Sequence, residues 1–442
     1  MLRPWSPRPD AVRSSPRRRL PAIATILVGT VLGQGLVVAI SPLLTRLYTP
    51  ADFGTLAVVT AVASILGAGA TLGTDRALIV AHDRATTGAL GALGLLSTLV
   101  VGAGTAAVAW VLRSDAARWF TAPALEGLWW SVPVTVVAVG AQRIASAVLA
   151  RRQQHRSIAL RNACQGIGQS VWNLAMAAAG PVGLVGGLAV GRIAAVLGMV
   201  RFRRGAGERV TPRSLSAAAR HHRRFLVITP WSSMLNVVGQ QAPGLLIAAL
   251  HGSVAAGFVA LTMRVLGAPV GMVADATAQY AAGAFGLRIR SGDPVRRLVL
   301  RLVVRLATAG AVAVLVVLLL GPVVFSTVFG PEWAVSGTYA QVLVPAFAVQ
   351  VAASPVTQVL SMLHRQGTQL TWDASRLVLS TAAVLVPSVF GAPMPVVLVT
   401  LASAMTVSYA VVLVLVLRAA RIHDTGATAK TLRSPALPEC NM

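Results

Sequence analysis

The sequence has little acid. Thirteen Asp and Glu stand against 38 Lys and Arg in 442 residues, a net charge of +25. Lysine is almost missing too, since Lys430 alone is lysine and the other basic residues are arginine. So few carboxylates leave no pair spaced for acid–base hydrolysis, and no Walker loop is present. The two cysteines, Cys164 and Cys440, lie in an apolar stretch and in the polar tail. They make neither a disulfide framework nor a zinc spacing. No metal, cofactor or enzymatic chemistry is expected.

Charge of both signs amounts to 12% of the chain, where a soluble domain has about 25%. Apolar residues fill the gap, at 55% with a mean hydropathy of +0.73. A pI near 11.9 would suit nucleic acid. The arginines, however, are dealt out between apolar runs, as in cytoplasmic loops of a membrane protein, so nucleic acid is not an expected partner.

The stretch GQGLVVAISPLLTRLYTPADFG, Gly33 to Gly54, sets the pattern. It closes a run of 23 uncharged residues from Ala22 to Leu44, enough to cross about 30 Å of hydrocarbon at about 1.5 Å per residue. Pro50 turns Thr49 away from helix, Asp52 can cap the next helix, and a second run starts at Phe53. Twelve spans are expected: Ala22–Leu44, Phe53–Leu72, Thr87–Leu112, Leu125–Leu149, Ile158–Ala179, Val182–Val200, Phe225–Leu250, Val254–Tyr280, Leu298–Leu320, Tyr339–Leu363, Leu370–Val389 and Pro395–Leu417. The fold class expected is all-α integral membrane.

With the N-terminus inside, 31 of the 38 basic residues fall in inner segments and three, Arg46, Arg113 and Arg118, in outer loops. That bias puts both termini in the cytoplasm and requires an even number of spans. A faint repeat pairs Gly33-Gln34 with Gly239-Gln240, and the Arg-Arg-Gln of 151–153 with Arg365-Gln366. It divides the chain into a basic arm (1–21), a six-helix half (22–200), a basic linker (201–224), a second half (225–418) and a cytoplasmic tail (419–442), with a central cavity between the halves.

Four stretches, in order, resemble the bacterial polysaccharide flippases, the Wzx-type branch of the MATE-like multidrug/oligosaccharidyl-lipid/polysaccharide exporter superfamily. They are SPLLTRLYTPADFG, LARRQQHRSIALRNACQGIGQS from Leu149, SMLNVVGQQAPGLLI from Ser233 with ALTMRVLGAPVGMVADATAQY, and the run from Val328 to Leu377. The chain departs from the family at GTDRALIV, where Asp75-Arg76 replaces a Glu usual after the second span. The resemblance implies a flippase of the plasma membrane carrying a polyprenyl-diphosphate-linked oligosaccharide outward, with membrane lipids as surroundings and H+ or Na+ as coupling ion. A small-molecule exporter of the same superfamily and a lipid II flippase remain alternatives.

Such a cargo needs cations for the diphosphate, and arginine suits it because its planar fork donates two parallel hydrogen bonds. Five arginines lie within or beside spans: Arg192 and Arg264 near mid-membrane, with Arg143, Arg161 and Arg376 nearer the cytoplasmic side. Gln34, Asn236, Gln240 and Gln241 offer amides to sugar, or to neighbouring helices. Asp75, Asp275 and Asp373 are the acids near spans and the candidates for ion coupling; Asp373 can instead pair with Arg376 three residues on.

Overall fold

The computed structural model describes residues 33–433 apart from residues 34, 82, 153, 201–210, 292 and 364. The side chains of a few other helical positions, Asp275 among them, lie outside that description, as do Gln34, the 1–21 arm and most of the expected first span.

Among the described residues every regular element is helical. The elements are α1 (Ser41–Leu47), α2 (Pro50–Ala70), α3 (Thr74–Val80), α4 (Arg84–Val111), α5 (Arg113–Trp119), α6 (Ala124–Gly127), α7 (Ser131–Arg151), α8 (His155–Ala175) and α9 (Pro181–Val200). They continue as α10 (Pro212–His221), α11 (Arg223–Ser291), α12 (Arg296–Phe329), α13 (Ala334–Ala353), α14 (Gln358–Met362), α15 (Gln366–Val389) and α16 (Met394–Arg433). Eight stretches are long and apolar enough to cross a membrane, and one of them, Thr229–Ala274, contains two spans. It is broken at Gly252, whose φ of +86° and ψ of 170° split α11 into two limbs. Such a left-handed turn is open to glycine because it has no Cβ. The expected fifth and eleventh spans are α8 and α15, which carry more polar residues.

Local chemistry sets the boundaries. Thr49 and Asp52 form a reciprocal capping box, Thr49 N–H donating to Asp52 Oδ2 (2.9 Å) and Asp52 N–H to Thr49 Oγ1 (3.3 Å), with Pro50 in the first turn. Asp83 caps α4 by accepting from the Thr86 N–H, which holds its carboxyl below the usual range. That cap is therefore intact at neutral pH and is lost only as acid protonates it.

The structure differs from the expected spans in several places, the eighth and ninth running on to Ser291 and Phe329 among them. After left-handed Leu72 and Gly73 the chain forms α3 instead of a loop. The fourth span starts at Ser131, not Leu125, because α5 and α6 occupy the preceding residues. The tenth span breaks into a 3-10 turn at Ser354–Val356, since Pro355 has no N–H for the helix ladder. The twelfth runs helically to Arg433, beyond the expected tail boundary. There Asp424 accepts from the backbone N–H of Val295 (2.8 Å) and Arg296 (3.1 Å), capping α12 from another helix.

The turns expected on one side meet at one end of the bundle. Tyr48 Oη donates to the Asn173 carbonyl (2.6 Å) and Trp333 Nε1 to the Thr45 carbonyl (3.1 Å). Ser253 donates through its N–H to Thr121 Oγ1 (3.2 Å) and through Oγ to the Thr121 carbonyl (2.9 Å). The His251 ring meets Ser388 Oγ at 2.8 Å. The opposite end holds Asp75–Arg143 and the Arg151 contacts to the Leu78 and Ala81 carbonyls.

The chain before residue 200 meets the chain after residue 225 where α2 crosses the second limb of α11. A Cβ added at Gly257 would lie 1.8 Å from the Pro50 carbonyl oxygen, and one at Gly54 would lie 1.9 Å from that of Ser253. The two positions are reciprocal, each glycine four residues after the backbone that the other touches. Around the crossing packs the largest apolar core, in which the Phe53 and Phe258 rings meet Trp333 edge-on at 5.0 and 5.7 Å. A second core, around Phe285, Val299, Val356 and Trp372, fills the far end of the second half. Helices α4 and α12 stand outermost, each with 17% of its most apolar window buried, and present Leu96, Leu99, Leu315 and Leu319 to the lipid.

Gly257→Ala is expected to lower the membrane protein's thermal midpoint clearly, by the equivalent of about 1–3 kcal/mol or more for overpacking against backbone. Gly91→Ala, where an added Cβ meets nothing, should leave it unchanged or slightly raised; fluorescence-detected size exclusion after heating checks both. For orientation, single cysteines at Ala179 and Phe390 in a Cys-free background should react with an impermeant maleimide in intact cells. One at Arg220 should react only after permeabilisation.

Candidate binding cavity

A cavity of about 600 Å³ lies against the crossing. The first half gives it only α2, through Phe53, Leu56, Ala57, Thr60 and Ala61. The second half gives Gln240 and Gln241 from the first limb of α11 and Val259 and Arg264 from the second. It also gives Phe347 and Gln350 of α13, Arg376 and Ser380 of α15, and Met405 and Tyr409 of α16.

Two guanidinium groups face this space. Arg264 has its Cζ 5.8 Å from the Phe53 ring centroid, and its buried Nη1 has no hydrogen-bond partner among the described residues. Arg376 is held on three sides: Nη1 donates to Tyr409 Oη (3.3 Å), Cζ stands 5.2 Å over the Trp372 ring, and Nη2 is 3.8 Å from Asp373 Oδ1. Its Nε is buried and unpartnered among the described residues, as is Gln350 Oε1. Trp372 is itself fixed by its Nε1 donating to the Ser408 carbonyl (2.8 Å). Aromatic faces and a phenol thus position Arg376 while leaving donors free. Among the described residues no carboxylate lines the cavity. Two cations with open donors, in walls of low dielectric, make a strong anion-binding field. Gln240, Gln241 and Gln350 add amides able to bond hydroxyls.

The other sequence-selected residues lie elsewhere. Arg143 donates to Asp75 Oδ2 through Nε (3.1 Å) and Nη2 (2.9 Å), and Thr71 donates to the same carboxylate (2.9 Å). Asp75 is thus committed to an ion pair inside the first half. Arg161 donates to Ser146 Oγ (2.6 Å) and Asn162 Oδ1 (2.9 Å). Arg192 matches Arg264 in depth, but it does not line the cavity. It sits on α9, which packs on α8 and α7, and only α2 of its half borders the space. Its Nη1 is buried with no partner among the described residues. Asn236 is exposed and stands outside the lining, a turn before Gln240. Gln34 and the Asp275 side chain fall outside the described residues.

Three contributors are not among the residues selected by sequence. Gln350 is a mid-span amide in VPAFAVQVAA, legible as such. Trp372, four residues before Arg376, has the helical spacing of a cation–π pair. Tyr409 comes from another helix, 33 residues on, and nothing local marks it. Among the described residues no group of three His, Cys, Asp or Glu is arranged to hold a metal.

Comparison with known proteins fits this geometry. In solved structures the chain resembles the lipid II flippase MurJ in an inward closed conformation, at 8% identity and TM-score 0.70, covering 93% of this chain and 92% of that one. It also resembles an inward-facing multidrug resistance MATE family transporter of the MOP superfamily, at 13% identity and TM-score 0.62, covering 95% and 97%. A MOP superfamily transporter from Pyrococcus furiosus Vc1 (DSM3638), described as having a binding pocket of reverse polarity, matches at 13% identity and TM-score 0.57, covering 92% and 96%. At such identities the likeness establishes the fold, a MATE-like all-α membrane architecture. No curated protein matches the sequence. A family model does match, over residues 43–338, and by that match the chain belongs to the polysaccharide biosynthesis protein family, a membrane protein with the fold of MOP superfamily transporters.

Proposed function

We propose that the protein is a flippase that carries a polyprenyl-diphosphate-linked oligosaccharide from the inner to the outer leaflet of the bacterial plasma membrane. The observation that carries this reading is the pair Arg264 and Arg376 at the joint between halves. Both have buried nitrogens unpartnered among the described residues, in a cavity that no described carboxylate lines. The diphosphate is the cargo's charged centre. A guanidinium fork binds it by paired, charge-assisted hydrogen bonds worth more than neutral ones. The glutamines then meet sugar hydroxyls, and the polyprenyl tail stays in lipid. We assign residues 22–200 and 225–418 as the halves that rock about the crossing, with both termini cytoplasmic. Asp373, beside Arg376, is the acid placed to couple H+ or Na+ to release, because its protonation or ion binding alters the field at that guanidinium. A cationic drug as cargo is disfavoured by the same positive field. A lipid II cargo shares the diphosphate and differs in the sugar, so the accumulated lipid decides between the two.

Depleting the protein should leave lipid-linked oligosaccharide on the inner leaflet and reduce the matching surface glycan; accumulation of lipid II instead would assign the other cargo. Arg264→Ala and Arg376→Ala should each lower transport about tenfold or more, since a hydrogen bond to a charged group contributes roughly 1.5–3 kcal/mol. Arg264→Lys should retain part of it, keeping charge but losing the fork. Protein level in the membrane should not change. Normal glycan export by the double alanine variant would overturn the site.

A further inference from the structure

A second concavity lies on the outside of the first half, away from the cavity. It encloses about 490 Å³. Helix α7 is its floor, through Pro133, Val137 and Ala141; Ala106 of α4 and Ile193 and Leu197 of α9 are its walls. Every lining side chain is aliphatic or aromatic. Beside it Gly102 lets α4 approach α7 closely, since a Cβ there would fall 2.4 Å from Val137 Cγ2. From Trp129 to Ala141 the floor descends about 18 Å at helical rise, from the loop end toward mid-membrane.

The mouth differs from the floor. Trp129 and Trp130 close it, and Trp129 meets Trp110 edge-on at 5.0 Å. The Arg113 guanidinium lies flat on Trp110, Cζ 3.9 Å from the ring centroid, with Nη1 donating to the Trp110 carbonyl (2.9 Å). Tryptophans at this level are what a bilayer interface selects. The nearby acids are engaged elsewhere: Asp115 pairs with Arg118, and Glu126 accepts from Ser114. Among the described residues Arg113 has no carboxylate partner. An apolar concavity is thus headed by an aromatic ring and by Arg113, which has no carboxylate partner among the described residues.

We infer that this groove is a binding site for an anionic glycerophospholipid, its acyl chain along α7 between α4 and α9 and its phosphate on Arg113. Zwitterionic lipids fill the same groove but bring a cationic group to the guanidinium, so the site discriminates by headgroup charge. The site is independent of the transport cavity: its residues come from the first half alone, and none of them lines the space around Arg264.

Native mass spectrometry of the intact protein, delipidated and titrated with phosphatidylglycerol or phosphatidylcholine, tests this. Phosphatidylglycerol should be retained preferentially. Arg113→Gln should weaken its retention about fivefold, the effect of one basic residue at an anionic surface, and leave phosphatidylcholine unchanged. Arg118→Gln combined with Asp115→Asn, which removes a cation and its partner together, should change neither. Ala141→Phe, which fills the groove, should remove one bound lipid of either kind. Equal retention of the two lipids by the wild type, or an unchanged preference in Arg113→Gln, would overturn the assignment. Should Ala141→Phe fail to fold, a phosphatidylglycerol with a photoreactive acyl chain should crosslink to peptides of α7 and α9 in wild-type membranes. Crosslinks spread evenly over α4 and α12 would mean ordinary boundary lipid and would equally overturn it.

Discussion

The close crossing of α2 and the second limb of α11 is the contact on which the rest depends. Two backbones approach so nearly that neither Gly54 nor Gly257 has room for a Cβ. In lipid, helices gain little from the hydrophobic effect against one another, and small residues that allow such approach supply the packing instead. The crossing sets how closely α2 approaches α11, and the cavity is the space left beside it, bounded by α2 on one side and by α11, α13, α15 and α16 on the other. Moving that contact by a side chain's width would alter every distance around Arg264.

Electrostatics then separates two sets of arginines. In the first, Arg143 is met by Asp75, and Arg161 by a serine and an asparagine. Those pairs neutralise or solvate charges at depth and tie α3, α7 and α8 together. In the second, Arg376 is held by the Trp372 ring and the Tyr409 hydroxyl and pairs with Asp373 at 3.8 Å. A ring face stabilises a cation without cancelling its charge. Arg264, whose Nη1 has no partner among the described residues, is left with a positive field in apolar surroundings, an expensive arrangement.

Much of the fold is legible because membrane crossing imposes a length and a polarity on sequence. The breaks at Thr49–Pro50 and at Gly252 are written in residues with restricted or exceptional backbone preferences. Which span faces which is not written there. Arg192 and Arg264 look alike by depth, yet α9 packs on α8, α7 and α2 without lining the cavity, while α11 borders it. Tyr409 beside Arg376 and Asp424 beneath α12 are encounters between distant segments, and composition carries no trace of them. The α5 and α6 helices are hidden for another reason. They are too short and polar for a hydropathy signal, and their first turns merge into neighbouring apolar runs.

Thr121 carries a consequence of its own. It is β-branched, yet its φ is +45°, a conformation that costs about 1–3 kcal/mol and persists only when its surroundings hold it. Ser253 of the other half holds it, through two hydrogen bonds. The same face carries the Trp333 bond to Thr45. Three hydrogen bonds between distant segments, at about 1 kcal/mol each, act as a latch, opposed by a loaded spring at Thr121. Releasing the latch relaxes the spring and returns part of its cost, so the free-energy gap between the form closed at this end and the form open at it is narrower than the contacts alone suggest. A latch partly balanced in this way needs only a modest free-energy difference to open.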